Sequence, residues 1–328
     1  MPKPKSASIT RPLASDSEAL RAAEEWVRTR IYGLEDAELR WLRDQYVAAY
    51  KEILAILPIA YNNGGEPIPS QRAELLRAVQ NEVNTLMSAL AEEFDPAFEA
   101  AFLQGYYGRA YVLDMASKPE IVPVLRAFIP TEAIRATLLQ GYLGGTEWVG
   151  LERADFLARL KRSLVQSLIQ GEGMTQAQGR LLREMGISPG QTKDFKGSMW
   201  RSLLVVRNEI MRASNLGALA IYEQNRDILS GWEWVAARDE RVCRICGALD
   251  GKTFAFGDYQ QPPPSGSHIG CRCTVVPVLF DTALSDRITG GPRETYAAWA
   301  ERMGIWQDGN LTQQRGADAH KLSATSAR

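Results

Sequence analysis

The cysteines of this chain have the residue type and spacing of metal ligands. All four, Cys243, Cys246, Cys271 and Cys273, lie between positions 243 and 273, and His268, one of two histidines, stands between the pairs. Cysteines separated by two residues can share a tight turn that directs both sulfurs to one point, which is half of a structural zinc site. The second pair is predicted to begin a strand, whose period of two places both side chains on one face. We therefore predict that the thiols hold a structural zinc ion, and the spacing alone does not choose between His268 and a fourth cysteine.

Two other states of the cysteines fit the same spacing: a pair of disulfides, and free buried thiols. We see no secretory signal, because the N-terminus lacks an apolar segment. The longest apolar stretch, "ILAILPIAY", is far shorter than the roughly 20 residues that span a bilayer. We therefore expect a cytosolic protein without a membrane partner. In a reducing compartment clustered cysteines are more often metal ligands than disulfides, which favours the metal.

Catalytic chemistry finds little support in the sequence. A zinc deaminase needs a His-x-Glu motif upstream of Pro-Cys-x-x-Cys, but no histidine precedes His268, and Val242 stands before Cys243. An HNH-like nuclease is the least unfavourable enzyme, although the second histidine is the distant His320. Phosphate-binding glycine loops and a Ser-His-Asp pattern are both missing. We therefore predict no enzymatic activity and no small-molecule substrate.

The elements that must position the cysteines are short strands. The runs "WEWVAARDERVC", "KTFAF" and "CTVVPVLF" are aromatic and β-branched, and "QQPPPSGS" separates the last two as a loop. A module of about fifty residues has a marginal core, and a structural zinc ion contributes on the order of 10 kcal/mol to folding. The metal would thus supply folding free energy that the small apolar core of the module does not provide.

The rest of the chain shows helical periodicity. A long helix is predicted between about Met199 and Asn225, and another is predicted to start with Asp95 as its N-cap and Pro96 in its first turn. The fold class is therefore mainly α with a small β-rich, zinc-knuckle-like module near the C-terminus (α+β). The predicted organisation is a flexible tail (1–15), an N-terminal helical region (16–125), a second helical region (126–230), the cysteine-rich β module (231–282) and a polar, partly disordered tail (283–328).

Several arginines are candidates for contacts with nucleic acid or a partner protein. Arg207 lies inside the apolar stripe of the long helix and needs a carboxylate or carbonyl partner, while Arg201 and Arg212 share another face. Arg272 is predicted to point away from the face of the second cysteine pair. The overall charge is balanced, with 38 Lys and Arg against 39 Asp and Glu. A protein that binds nucleic acid over its whole surface is therefore excluded, but local basic patches are not.

The motifs together resemble a known family. "ERVCRICGALDGKTF", a proline-rich gap and "HIGCRCTVVPV" are similar to the C-terminal signature of the phage head morphogenesis family, the F-like minor head proteins of Mu-type and related tailed phages. Upstream, "LIQGEGMTQAQGRLLREMGIS" and "VVRNEIMRASNLGALAIYEQN" are similar to the helical run before that signature. The resemblance covers about residues 150–280. Relatives commonly have Arg-Thr-Glu where this chain has Arg207, Asn208 and Glu209.

The resemblance implies a minor structural protein of the virion head, present in few copies and made in the host cytoplasm. Such a protein would lie at the portal vertex and act in capsid assembly, DNA packaging or DNA delivery. Its implied partners are the portal protein, the major capsid protein or scaffold, and the packaged DNA. Asp239, Asp250 and Lys252 belong to the signature, and we assign them roles in turns and caps. The alternatives are a DNA-binding module and, with less support, the HNH-like nuclease.

Overall fold

The computed structural model describes residues 18–117, 129–139, 145–187, 197–237, 241–280 and 294–305. The predicted N-terminal tail (1–15), residues 306–328 of the C-terminal tail, Asp239 and His320 lie outside these residues. Described elements are mainly helices, and three short strands occur near the cysteines. The predicted fold class, mainly α with a small β-rich module, is confirmed.

The helices and strands follow the chain in this order: α1 (Glu18–Ile56), α2 (Arg72–Ala116), α3 (Thr131–Leu138), α4 (Gly145–Ile169), α5 (Met174–Met185), α6 (Ser198–Gln224), β1 (Leu229–Val235), α7 (Arg244–Leu249), β2 (Thr253–Phe254), β3 (Thr274–Leu279) and α8 (Tyr296–Arg302). The long predicted helix between Met199 and Asn225 corresponds closely to α6. In the described parts of the chain, no helix has the length and apolar character needed to cross a membrane.

The described residues form two compact units. The cysteine unit takes its described residues from Met1–Ile31, Phe102–Ile129 and Ser214–Gly309. The helical unit takes them from Tyr32–Ala101 and Pro130–Ala213. Helices α1, α2 and α6 therefore contribute residues to both units.

The helical unit has an apolar core with a buried polar network inside it. Its fully buried side chains include Leu42, Val83, Leu90, Phe156, Leu160, Leu181 and Ile210. The Tyr46 hydroxyl lies 2.7 Å from the Ser198 hydroxyl and 2.9 Å from the Ser202 hydroxyl. Ser198 in turn donates to Glu152 over 2.7 Å. Because the buried hydroxyls have partners, the polar groups cost the core little.

The predicted helix start at Asp95 and Pro96 is wrong. Helix α2 continues through Pro96 from Arg72 to Ala116, although proline removes one main-chain hydrogen bond. Phe94, Ala97 and Phe98 on either side of the proline are buried, and their packing offsets that loss. Local start signals in the sequence were therefore overridden by burial of the apolar face.

Asp95 instead caps a different helix, α4. Its carboxylate accepts hydrogen bonds from the Gly145 backbone N–H over 2.8 Å and from the Thr146 hydroxyl over 2.7 Å. A carboxylate at this place also interacts favourably with the positive end of the helix dipole. Asp95 is therefore an N-cap residue, as its type predicted. The helix that it caps begins fifty positions further along the chain, at Gly145.

Replacing Asp95 with alanine is expected to lower the free energy of unfolding by about 1 kcal/mol, because the N-terminus of α4 loses its acceptor. Glu92→Ala is the matched control, since Glu92 is an exposed carboxylate on the same helix, and such surface changes usually stay within about 0.5 kcal/mol. Urea unfolding followed by circular dichroism measures both. Equal losses in the two variants would contradict the capping role.

The cysteine unit contains one antiparallel sheet of three strands in the order β2-β1-β3. Trp232 pairs with Phe254 of β2 on one side and with Pro277 of β3 on the other. Pro277 is tolerated because β3 lies at an edge of the sheet, where a missing N–H breaks no ladder. All residues of β3 are buried. The sequence signals for three short strands are thus confirmed.

Helices α6 and α2 hold this sheet. The Tyr222 hydroxyl of α6 donates to the Val275 carbonyl of β3 over 3.4 Å. Arg109 of α2, which is 1% exposed, donates to the Thr274 hydroxyl over 2.6 Å and lies 3.3 Å from the Glu24 carboxylate. Burial raises the pKa of Glu24, and the charge of Arg109 opposes that shift. The start of β3 is therefore anchored to the helices by a buried arginine.

Helix α8 packs into an aromatic cluster of the same unit. Its Trp299 is buried, and the indole N–H donates to Asp114 of α2 over 3.0 Å. Tyr296 lies between Trp26 and Trp299, with ring centroids 4.8 and 5.6 Å away. This described part of the predicted polar tail therefore contributes apolar side chains to the unit.

Candidate metal centre

The first cysteine pair lies at the start of the short helix α7. Cys243 is the N-cap residue, and its sulfur accepts a hydrogen bond from the Cys246 backbone N–H over 3.4 Å. Cys246 follows within the first turn and is 2% exposed. The two-residue spacing thus turns both sulfurs toward the same side of the helix start, as the sequence predicted.

The second pair approaches from the segment before β3. Cys271 and Cys273 are 1% and 2% exposed, and the strand begins only at Thr274. The prediction that both cysteines stand in the strand is therefore wrong by a few residues. Their convergence does not depend on the strand period, because the Cys273 backbone N–H donates to the Cys271 sulfur over 3.4 Å and folds this segment around the sulfur.

The two pairs meet. The sulfurs of Cys246 and Cys271 lie 3.5 Å apart, well beyond the ~2.05 Å of a disulfide bond. For a tetrahedral zinc ion with Zn–S bonds of about 2.3 Å, neighbouring sulfurs lie about 3.8 Å apart. The sulfur separation in the structure is close to that value. The distance between these two sulfurs is therefore compatible with two ligands of one zinc ion.

His268 reaches the same cluster. Its Nε2 lies 3.4 Å from the Cys246 sulfur, and its Nδ1 lies 3.0 Å from the Ile269 carbonyl oxygen. A carbonyl oxygen only accepts, so Nδ1 carries the proton and Nε2 presents its lone pair to the cluster. Metal-binding histidines are usually oriented by such a hydrogen bond on the other ring nitrogen. The histidine is thus arranged as a ligand.

All five candidates fall into two overlapping groups. Cys243, Cys246 and His268 have ligand atoms within 4.8 Å of one another, and the same holds for Cys246, Cys271 and Cys273. Each group can hold a metal ion, and Cys246 belongs to both. The structure therefore brings together every residue that the sequence nominated as a ligand.

Hydrogen bonds within the cluster lower the thiol pKa at two positions. The Cys273 thiol donates to the Cys271 sulfur and lowers the pKa of Cys271 to about 5. The Cys246 backbone N–H lowers the pKa of Cys243. Burial raises the pKa of Cys246 to about 12, and hydrogen bonding to Cys271 raises that of Cys273. A bound cation would stabilise the thiolate form of each ligand.

Asn215 of α6 ties the centre to the helices. Its amide nitrogen donates to the Pro263 carbonyl over 2.9 Å and to the Cys273 carbonyl over 3.1 Å. Its amide oxygen accepts from the Thr274 hydroxyl over 3.1 Å. The sequence patterns assigned Asn215 no role at the cysteines. The available signal was a polar residue just before the apolar run "LGALAIY".

Asn215→Ala is expected to lower the free energy of unfolding by about 3 kcal/mol, because buried carbonyls of two loop segments lose their donor. Asn208→Ala is the control on the same helix. It is less buried, and its amide nitrogen donates to the neighbouring Glu209, so we expect a loss below about 1 kcal/mol. Thermal unfolding of both variants measures the difference. Similar midpoints would show that Asn215 does not hold the loops.

The candidate contact arginines of α6 have carboxylate neighbours. Arg201 donates to Glu152 and Asp155, and Arg207 donates to Glu35. The predicted need of Arg207 for a partner is thus met within the helical unit. Arg212 donates to the buried Glu209 over 2.7 Å.

Arg272 and the signature residues lie in the cysteine unit. Arg272 stands between the two buried cysteines and is itself partly exposed. The Asp250 carboxylate accepts from the Ala236 backbone N–H over 2.8 Å, and the Lys252 carbonyl accepts from the Trp234 N–H over 2.9 Å. Asp250 therefore caps the backbone N–H of Ala236, in agreement with its predicted role.

Comparison with known proteins supports the resemblance stated from the motifs. Residues 158–276 match the model of the family described as Phage Mu protein F like protein. No curated protein and no solved structure gives a match to the chain. The matched range contains α5, α6, β1, β2, the first three residues of β3 and all five candidate ligands. Residues 158–276 are therefore a Phage Mu protein F-like region, the family that the cysteine and helix motifs predicted.

Proposed function

We propose that this protein is a minor structural component of a tailed-phage head. We further propose that a structural zinc ion stabilises its cysteine-rich β module (231–282), called the cysteine module below. The observation that carries this proposal is the convergence of the five candidate ligands within the family-matched region. The zinc ligands would be Cys243, Cys246, Cys271 and Cys273, with His268 as the alternative to one of them. The ion would fasten α7 to the segment before β3.

The donor set supports a structural ion and not a catalytic one. Structural zinc sites fill all four positions with protein ligands, whereas catalytic sites keep one position for water or substrate. Here five candidates are available, and three of the four cysteines are buried. The bound ion would contribute folding free energy to a small sheet, which makes the module rigid enough to present a surface.

Within the head, the proposed place is the portal vertex, in few copies. The proposed partners are the portal protein and the major capsid protein or scaffold, with packaged DNA as a further contact. The protein would act in capsid assembly, DNA packaging or DNA delivery, and it would be made in the host cytoplasm before it enters the virion. The family match over residues 158–276 supports these proposals.

A DNA-binding role is a weaker candidate. Arg201, Arg207 and Arg212 were its nominated contacts, and each donates to a carboxylate. A phosphate would have to displace those carboxylates to bind. The HNH-like nuclease needs a second histidine beside His268, and His320 lies outside the described residues.

The experiment for the head function is complementation in the phage genome that encodes the chain. Deletion of the reading frame is expected to abolish infectious, DNA-filled particles, and the wild-type gene in trans is expected to restore them. Cys243→Ser/Cys246→Ser should fail to restore them. Ser265→Ala, an exposed change in the same module, should restore them. Normal DNA-filled heads from the deletion phage, seen by electron microscopy, would refute the proposal.

A further inference from the structure

The cysteine module exposes large apolar side chains directly beside its candidate ligands. Ile245, next to Cys246, is 54% exposed, and Ile269, next to His268, is 69% exposed. Because Cys246 and His268 are 3.4 Å apart, the two isoleucines lie on neighbouring segments. By contrast, the apolar residues of β3 are all buried. Exposed apolar side chains on neighbouring segments can form a contiguous patch, and such patches commonly mark an interaction site.

The charges around these isoleucines are arranged asymmetrically. Arg244, the first residue of helix α7, and Lys252, three residues after its end, are exposed. Asp250, the carboxylate between them in the sequence, is also exposed, and one of its oxygens accepts a hydrogen bond from the Ala236 backbone N–H. We call Arg244, Ile245, Lys252 and Ile269 the knuckle face. It combines two apolar anchors with two cations.

We propose that the knuckle face docks an acidic segment of a partner protein through apolar anchor side chains. Isoleucines can cover an apolar anchor but offer no aromatic plane for a base, and nucleic-acid grooves need stacking platforms along a cationic track. The two cations instead complement carboxylates that flank the anchors. This inference deepens the proposed function and rests on it, since it gives the head protein a docking surface.

The metal would prepare this surface. When a partner segment binds a flexible loop, part of the binding free energy is used to order that loop, and the affinity is lower. Zinc at the cysteine cluster would fix α7 and the His268 segment before the partner arrives. The knuckle face is therefore expected to bind only in the zinc-loaded protein.

The experiment uses the zinc-loaded full chain with ¹³C-labelled isoleucine δ-methyl groups. The probe is a synthetic helical peptide with leucines at positions i, i+3 and i+7 and glutamates at the others. We expect it to shift the methyl resonances of Ile245 and Ile269. Ile245→Ser/Ile269→Ser should weaken binding by about tenfold or more. The matched control, Leu151→Ser/Ile169→Ser, changes residues of α4 that are 61% and 72% exposed and should bind normally.

Other outcomes would overturn the inference. These are unchanged Ile245 and Ile269 resonances, equal binding of a peptide with lysines in place of glutamates, or a response to oligo(dT) alone. Zinc content is measured on each variant first, so that loss of the module is not mistaken for loss of the surface. If the peptide binds but the deletion phage makes normal heads, the proposed function fails and the surface stands. If the heads depend on the protein but the peptide does not bind, only the inference fails.

Discussion

Cys243→Ser/Cys246→Ser is expected to lose the bound zinc and to unfold the cysteine module, while the wild type binds about one zinc ion per chain. Serine oxygen is a poor replacement for thiolate sulfur, and the ion would supply on the order of 10 kcal/mol of folding free energy at this site. Trp234, which is fully buried in β1, reports the change. The chain has eight tryptophans, and the part of the fluorescence that comes from Trp234 should shift to the red as the sheet opens to water.

Zinc is measured by mass spectrometry, and unfolding is followed by tryptophan fluorescence. Ser265→Ala is again the control. The single variants sharpen the prediction, because Cys246 belongs to both ligand groups while Cys243 and His268 belong to one. Cys246→Ser should therefore reduce zinc affinity more than Cys243→Ser or His268→Ala. A wild-type protein without metal, or a double variant that keeps its zinc, would contradict the proposed centre.

The second large effect is expected at a crossing of helices α2 and α6. A Cβ added at Gly217 would lie 2.1 Å from the Phe102 carbonyl oxygen, and one added at Gly105 would lie 2.0 Å from the Ser214 carbonyl oxygen. These neighbours are backbone atoms and cannot rotate away. Each alanine substitution would therefore push the helices apart inside the cysteine unit. We expect a loss of about 3 kcal/mol for each variant.

Gly33→Ala is the matched control for this pair. Gly33 lies in helix α1, and an added Cβ there meets nothing within 4 Å. Alanine is the better helix former, so Gly33→Ala should stabilise the protein by about 0.5–1 kcal/mol. Urea midpoints of the three variants give the comparison. If Gly217→Ala unfolds at the same urea concentration as Gly33→Ala, the close approach of the helices is wrong.

The cysteine site could be predicted from the sequence because its signal is local. Cys243 and Cys246 share one turn, and the second pair is separated by a single residue, so the spacing constrains where the sulfurs point. The strands were also recognisable from aromatic and β-branched runs. What the sequence left open was the role of His268, and the Nδ1 hydrogen bond to Ile269 supplies the missing orientation.

Features that depend on distant residues were harder to predict. Asp95 has the residue type of a cap, yet its helix begins at Gly145, and nothing near Asp95 in the sequence indicates that pairing. Asn215 binds Pro263 and Cys273 for a similar reason: only the folded chain brings them together. Local pattern therefore predicts the ligands, while tertiary contacts determine what holds them in place.

X-ray absorption at the zinc edge of the purified full-length protein tests the central claim most directly. The prediction is a four-coordinate ion with at least three sulfur ligands at about 2.3 Å, and a fourth ligand that is either sulfur or the imidazole nitrogen of His268. His268→Ala distinguishes these, because only a nitrogen ligand would disappear from the spectrum. A protein without zinc, or an ion surrounded by oxygen and nitrogen alone, would contradict the claim that zinc bound by the cysteines stabilises the module.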